Sequence, residues 1–332
     1  MSAEHEKKYR AAIIGCGGIG FFYDRGGERE TGLSHFSAIE SHEAFKLVAV
    51  TDTDSDITAM IAKQYNKRAY NSFHEMMRLE SPLDLVVVAT PDETHADILK
   101  SLPDYSPGIV FSEKPLAQNE SDTQGIIELY GRSSTALQVN FTRRFLDEFR
   151  ELGKTLSTGA IGTIDTVTVC YSRGFHHNCS HFIDLLQWYF GMPSRASILS
   201  VKKGISDNDP SLSMFLQYDN GPDVHLIARK ADRLMNYELD ISGSGGRIRV
   251  LQTGAIEFYT TATHSILDNF LEYRMGEKKK IDFNRAIPAA LDNIKEWLDN
   301  EVELLSPGVN SITTHSILAM AKEEKGRCQN WR

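Results

Sequence analysis

Up to Asn140 the chain alternates short apolar runs with longer stretches in which apolar residues recur at helical spacing. The runs at 11–14, 46–51, 85–90, 109–111 and 136–140 read as buried strands. The segments 34–41, 55–65, 72–79, 93–101 and 120–132 read as helices between them. Such alternation implies right-handed crossovers and a parallel, doubly wound sheet, with ligands bound beyond the carboxyl ends of its strands. Beyond Asn140 the pattern changes. A helical stretch at 143–156 precedes strand-like runs at 164–171, 212–218, 224–228, 237–242, 247–251 and 255–260. Asp219-Asn220-Gly221-Pro222 and Gly243-Ser244-Gly245-Gly246 are turn signals that favour hairpins over crossovers. The second half is therefore expected to be α/β with a largely antiparallel, open sheet. Helices at 181–190, 284–300 and 312–325 would cover one face and leave the other for subunit packing.

The first apolar run ends in Gly15-Cys16-Gly17-Gly18-Ile19-Gly20. A strand running into Gly-x-Gly-x-x-Gly is how a dinucleotide-binding domain opens. The first glycine permits a tight turn, the second lets the backbone approach a pyrophosphate, and the third lets the next helix pack on the strand. Phosphates then rest on unpaired N–H groups at a helix N-terminus, which makes Gly15, Gly17, Gly18, Ile19 and Gly20 the candidate cradle. Glycine turns also serve purely structural purposes, so the context has to decide. Asp52 comes after the second run, where a carboxylate accepts from ribose hydroxyls and repels a 2′-phosphate. No arginine occurs beyond it until Arg68, which favours NAD over NADP unless a distant arginine reaches the site. Gly20 and Asp52 stand 32 residues apart, where about 20 is usual. Residues 21–33 therefore read as an insertion, either a loop at the mouth of the site or a solvated connection.

Length leaves room for two domains, a dinucleotide-binding one at 1–142 and a substrate and oligomerisation domain at 143–332. Thirty-six basic against 45 acidic residues give a formal charge of −9, and no basic cluster is interleaved with aromatics. Small molecules are expected as partners, not nucleic acid. Cys16, Cys170, Cys179 and Cys328 are widely spaced with no C-x-x-C pair, which suits the reducing cytoplasm and argues against a disulfide framework or zinc ribbon. No metal site is expected. Lys7, Lys8 and Arg10 before an apolar run imitate a signal peptide, but glycines interrupt the run and no cleavage site comes after it. No stretch approaches the roughly 18 uninterrupted apolar residues of a membrane span.

The third run ends in Ala89-Thr90-Pro91-Asp92-Glu93-Thr94-His95 and the fourth in Ser112-Glu113-Lys114-Pro115. With the glycine turn and the later Gly159-Ala160-Ile161-Gly162, the order of these motifs resembles the glucose-fructose oxidoreductase, inositol dehydrogenase and rhizopine-catabolism (Gfo/Idh/MocA) family over most of the chain. The resemblance implies a nicotinamide-dependent sugar or cyclitol oxidoreductase, with a Rossmann domain and a C-terminal α/β domain whose open sheet often serves oligomerisation, here a dimer or tetramer. It places Lys114 by the substrate and the nicotinamide, commonly with a cis peptide before Pro115. An ammonium there suits the alkoxide that develops as hydride leaves a carbinol carbon. Thr90, Pro91, His95 and Glu113 go to the cofactor side, His95 as a positioning residue. Asn140 and the pair Arg143 and Arg144 are candidate substrate residues; a helix-surface role for the arginines is equally open. Arg173 and Tyr171 are similarly placed.

The stretch 175–184 aligns with the family's D-x-G-x-H-x-x-D signature, and His181 and Asp184 match. His181 is the candidate general base, since imidazole titrates near neutrality. Asp184, three residues on, would orient it or bind a hydroxyl. His177 stands where the pattern has aspartate and Cys179 where it has glycine, so the carboxylate that polarises the histidine is missing from its usual place. His177 and Asn178 are candidate substrate residues, and Cys179 reads as a small residue filling the glycine position. Asn178-Cys179-Ser180-His181 resembles an N-G-S-H variant associated with surface-glycan biosynthesis. The expected function is hydride transfer between NAD and a secondary hydroxyl of a cyclitol or a sugar, nucleotide-linked sugars included. Two alternatives stay open: a non-catalytic NAD- and sugar-binding sensor or scaffold, and an enzyme using tightly bound NAD transiently for elimination or epimerisation.

Overall fold

In the computed structural model, β1 (Tyr9–Ile14), β2 (Phe45–Thr51), β3 (Arg68–Tyr70), β4 (Leu85–Val88), β5 (Ile109–Ser112) and β6 (Ala136–Val139) form one parallel sheet in the order β3-β2-β1-β4-β5-β6. Residues 8–24, 32–206, 208–230, 236–300 and 302–329 are described. Alternate residues of one strand feed two cores. Ala11, Ile13, Val87 and Phe111 enter one, and Ala12, Ile14, Val86, Val88 and Val110 enter the other. A strand buried on both faces needs apolar residues at every position, which is why these runs are continuous and not alternating. The crossovers contain α1 (His35–Ser41), α2 (Ser55–Tyr65), α3 (Phe73–Glu80), α4 (His95–Ser101) and α5 (Glu120–Arg132). Side chains close their first turns: Ser34 accepts from Ser37 N–H, Asp54 from Asp56 and Ile57 N–H, and Asn119 from Asp122 N–H. The strand order reverses between β1 and β4, the switch point at which such sheets bind ligands.

The insertion is spliced into the first helix. Tyr23 N–H donates to Gly18 O, and then His35 N–H donates to Ile19 O and Phe36 N–H to Gly20 O. His35 is 16 residues from its acceptor instead of the four of an unbroken helix, so twelve residues are looped out. Without them Gly20 and Asp52 would stand 20 apart, the ordinary interval. Asp24 fastens the loop, accepting from Leu33 N–H (3.0 Å), Ser34 N–H (2.6 Å) and Ser37 Oγ–H (2.5 Å). Burial opposes its ionisation, but these bonds hold its carboxyl below the usual range. Residues 25–31 of the insertion lie outside the described residues.

The second unit opens with α6 (Asp147–Ser157) and β7 (Ile164–Tyr171), succeeded by α7 (Ser180–Phe190). Then come β8 (Arg195–Ser206), β9 (Asp209–Gln217), β10 (Asp223–Ala228), β11 (Tyr237–Gly243), β12 (Gly246–Leu251), β13 (Ala255–Thr263) and β14 (Leu271–Lys280). The strands form one sheet, β14-β13-β12-β11-β7-β10-β9-β8, antiparallel except for the parallel pair β7 and β10. Val167, Val169, Leu226, Leu239, Ile241 and Ile248 are buried on one face. The other face carries Asp240 between Arg247 and Arg249, and Glu257 bonded to Lys278 and Tyr259. The patterning missed β3, β8 and β14. They are short or edge strands with few buried side chains, and so carry little hydrophobic signal.

The expected boundary at 142/143 needs correction. The first unit comprises 1–145 and 283–311, and the second 146–282 and 312–332. The returning segment contains α8 (Ala286–Leu298), whose Ile287, Ala290, Leu291 and Ile294 form a buried stripe in the core that also holds Ile39 and Phe45. After it α9 (Ile312–Gln329) rejoins the second unit, packing against α7 and β8. Among the described residues no helix is long and apolar enough to cross a membrane.

Candidate functional site

In the first unit, one edge of the parallel sheet gathers the residues just beyond β1, β2, β4, β5 and β6: the turn 15–20, Asp52, Thr90 with Pro91, Glu113 with Lys114, and Asn140. Gly15 has φ +95°, and a Cβ there would lie 2.6 Å from the Ala89 carbonyl oxygen; one on Gly20 would lie 2.1 Å from that of Gly15. A Cβ on Gly17 would meet nothing within 4 Å. The turn is thus closed toward the protein and open above Gly17. The N–H groups of Gly17, Gly18 and Ile19 donate to nothing among the described residues, leaving them for phosphate oxygens. Cys16 N–H donates to Asp52 Oδ2 at 2.7 Å, and Asp54 N–H to Oδ1 at 2.9 Å. Each oxygen keeps a lone pair for a ribose hydroxyl. The residues present fit a dinucleotide.

The cation that could serve Asp52 as an exception is occupied. Arg68 starts β3, at the opposite end of that strand from the ligand edge, and pairs with Glu80 at 2.8 Å. His95 is fully buried, its Nδ1 2.7 Å from the Pro115 carbonyl and its Nε2 2.8 Å from the Thr90 carbonyl. It ties the loops after β4 and β5 together from beneath the ligand edge, an arrangement that suits a positioning residue and not a direct cofactor contact. Glu113 is likewise turned inward. Its Oε1 accepts from His35 Nε2 at 2.8 Å and from Asn140 Nδ2 at 2.7 Å. Burial resists its charge, but His35, Asn140 and neighbouring Lys114 together hold the carboxyl below the usual range. His35 had no sequence signal beyond standing at a helix start. Glu113 and Asn140, expected at cofactor and substrate, form with it a buried support for the half-exposed Lys114, whose bond to Pro115 is cis.

Arg143 and Arg144 lie in the turn Thr142–Phe145, and both are buried, Arg143 with its guanidinium 5.9 Å from the Phe283 ring centre. The helix-surface alternative therefore falls, and the next helix begins only at Asp147.

In the second unit, β7 runs through a sharp turn into a wide, π-helical turn, Phe175–Cys179, that continues as α7. Such turns insert one extra residue into a helix and recur at functional sites. His177 and His181 are half-buried and Asp184 is buried. A carboxylate that the sequence did not disclose fastens the backbone of the histidine turn. Asp209, at the start of β9, accepts from His176 N–H at 2.8 Å and His177 N–H at 2.9 Å. Burial nevertheless pushes its carboxyl above the usual range, against the pull of those N–H groups. Gly174 has φ +96°, and a Cβ on it would lie 2.1 Å from Asp209 Oδ2. Asn178 is corrected from substrate residue to scaffold: it is buried and donates to the Ser172 carbonyl at 2.8 Å. Tyr171 is also corrected, because its hydroxyl is held by both backbone groups of Leu212, each at 2.7 Å. Burial pushes the Cys179 thiol well above its ordinary value, so it fills space and is no nucleophile. His176, half-buried with its ring against that of His315, has its imidazole pushed down to about 4, first by desolvation and then by the charge of Lys322.

Residues 9–141 match the oxidoreductase family with an NAD-binding Rossmann fold, Gfo/Idh/MocA. The inositol 2-dehydrogenase of Rhizobium meliloti (strain 1021) is 24% identical over 244 residues, 67% of this chain and 73% of that protein. The inositol 2-dehydrogenase of Leifsonia xyli subsp. xyli is 28% identical over 299 residues, 82% of this chain and 83% of that one. The crystal structure of the WlbA dehydrogenase from Bordetella pertussis, in complex with NADH and UDP-GlcNAcA, superposes with a TM-score of 0.69 at 19% identity, covering 96% of each chain. That likeness shows the fold.

Proposed function

Since the chain belongs to the Gfo/Idh/MocA family of NAD-binding oxidoreductases, we propose that it oxidises, reversibly, a secondary hydroxyl of a sugar or cyclitol. The observation that carries this reading is the shared edge of the parallel sheet, where a turn with three N–H groups unpartnered among the described residues and a half-exposed Lys114 are set two strands apart. Gly17, Gly18 and Ile19 would hold the pyrophosphate, and Asp52 the adenosine ribose. Asp52, with Arg68 held by Glu80, supports NAD over NADP. When bound, NAD supplies the two-electron acceptor.

The protein supplies charge and proton transfer. Lys114 stabilises the negative charge that develops on the substrate oxygen. His181 accepts the hydroxyl proton, and Asp184 orients it. The inositol 2-dehydrogenases among the relatives support a cyclitol, and the UDP-GlcNAcA complex of WlbA supports a nucleotide-linked sugar. The face of the second sheet that carries the partly exposed Asp240, Arg247 and Arg249 supports assembly into a homo-oligomer, which light scattering of the purified protein checks. The decisive experiment monitors nicotinamide absorbance with a panel of sugars, cyclitols and nucleotide-linked sugars. Lys114→Ala should cut turnover on the order of 10²–10³-fold and leave NAD affinity within a few-fold. Undiminished turnover in that variant refutes the role given to the lysine.

A further inference from the structure

Arg173 is held in a conformation that a side chain resists. Its φ is +70°, in the left-handed region that glycine enters freely and arginine does not, and Gly174 comes next at +96°. Three attachments fix the turn: Gly174 N–H donates to Ser211 Oγ at 2.9 Å, Asn178 Nδ2 to the Ser172 carbonyl, and His176 and His177 N–H to Asp209. A turn so constrained would be easier to build with glycine or asparagine at 173. Backbone strain of this kind persists where the side chain is wanted for another purpose.

The guanidinium has no structural purpose in view. Arg173 is half-buried and forms no hydrogen bond or ion pair among the described residues. Asp209, whose carboxylate fastens the turn from β9, has both oxygens engaged by main-chain N–H groups. Lys230 adds a second cation, two residues beyond Ala228 on β10, the parallel neighbour whose Ala228 is in register with Tyr171. Arg173 stands four residues before His177 and eight before His181, at the carboxyl end of the strand that feeds them.

We infer that Arg173 binds an anionic group of the substrate, so that the sugar carries a carboxylate or a phosphoryl group. This rests on the oxidoreductase reading and narrows its substrate class. A planar guanidinium recognises both anions through two parallel hydrogen bonds, which neutral hydroxyls cannot match.

The test is calorimetric titration of the NAD-loaded protein with D-glucuronate, UDP-glucose and myo-inositol, which offer a carboxylate, a pyrophosphate and neither. At least one anionic probe binds about tenfold or more tightly than myo-inositol, as a charge-assisted pair predicts, and which one binds identifies the anion. Arg173→Gly removes that advantage and, by relieving the backbone, raises the unfolding midpoint by about 2 °C. A purely structural arginine would instead leave the advantage intact and lower the midpoint. Equal affinity for all three probes, binding of none of them, or an unchanged preference in Arg173→Gly overturns the inference. NAD binding and the turnover lost in Lys114→Ala are measured separately, so a neutral substrate that is oxidised overturns this inference and leaves the oxidoreductase reading standing.

Discussion

The carboxylate of Asp209 accepts a hydrogen bond, at 2.9 Å, from the main-chain N–H of His177, the residue that replaces the signature's first aspartate. A carboxyl group thus reaches the backbone of the histidine turn from another strand. Asp209→Ala leaves two partly buried N–H groups unpartnered and should destabilise the protein by about 1–3 kcal/mol. Asp209→Asn keeps one acceptor oxygen and should recover part of that. Denaturant unfolding of both variants checks the order, and equal stability of the alanine variant and the parent would contradict it.

Substitutions in the glycine turn should separate folding from binding. At Gly17 an added methyl meets no protein atom, so Gly17→Ala should change stability by no more than about 0.5 kcal/mol. The methyl would stand where the pyrophosphate approaches, and NAD affinity should fall on the order of tenfold or more. Gly20→Ala meets the Gly15 carbonyl at 2.1 Å and should lose about 1–3 kcal/mol of stability. Thermal unfolding paired with NAD titration distinguishes the two.

Glu113 should shape the acid limb of stability. Its folded value lies below the ordinary 4.5. The ionised form is therefore favoured by folding, a contribution complete above about pH 4.5 and lost as pH falls through the lowered folded value. Glu113→Gln should flatten the fall in stability below pH 4.5. His35→Leu removes a donor, raises the carboxyl's value and moves the fall to higher pH. Unfolding midpoints across pH 3–6 report both, and an unaltered profile in His35→Leu would exclude the coupling.

Cofactor choice should depend on the charge at Asp52. Asp52→Asn keeps an acceptor for Cys16 N–H and removes the charge that repels a 2′-phosphate. The preference for NAD over NADP, measured as a ratio of dissociation constants, should shrink by about tenfold. An unchanged ratio would assign the discrimination to another group.

Much of the architecture is legible in the amino-acid order alone. Continuous apolar runs identify strands covered on both faces, so β1, β2, β4, β5 and β6 and the parallel sheet emerge from local pattern. Gly15, Gly17 and Gly20, Asp52 and Lys114 are legible because each stands just past a strand, and in a parallel sheet every strand end reaches the same edge. His181 and Asp184 come from a motif held within one helical turn.

The tertiary structure decided the features that depend on partners distant in sequence. Local pattern cannot show that α8 returns to the first unit, that twelve residues loop out of a helix whose hydrogen bonds resume across the gap, or that His35 lies against Glu113, 78 residues away. Nor can it show that Asp209 supplies a carboxylate to the histidine turn, or that Asn178 and Tyr171 point inward while Arg173 is left unpaired among the described residues. Periodicity encodes which face of an element is buried, because burial acts on each residue alone. The pairing of one polar side chain with another depends on where the chain brings them, and that is settled only when the fold closes.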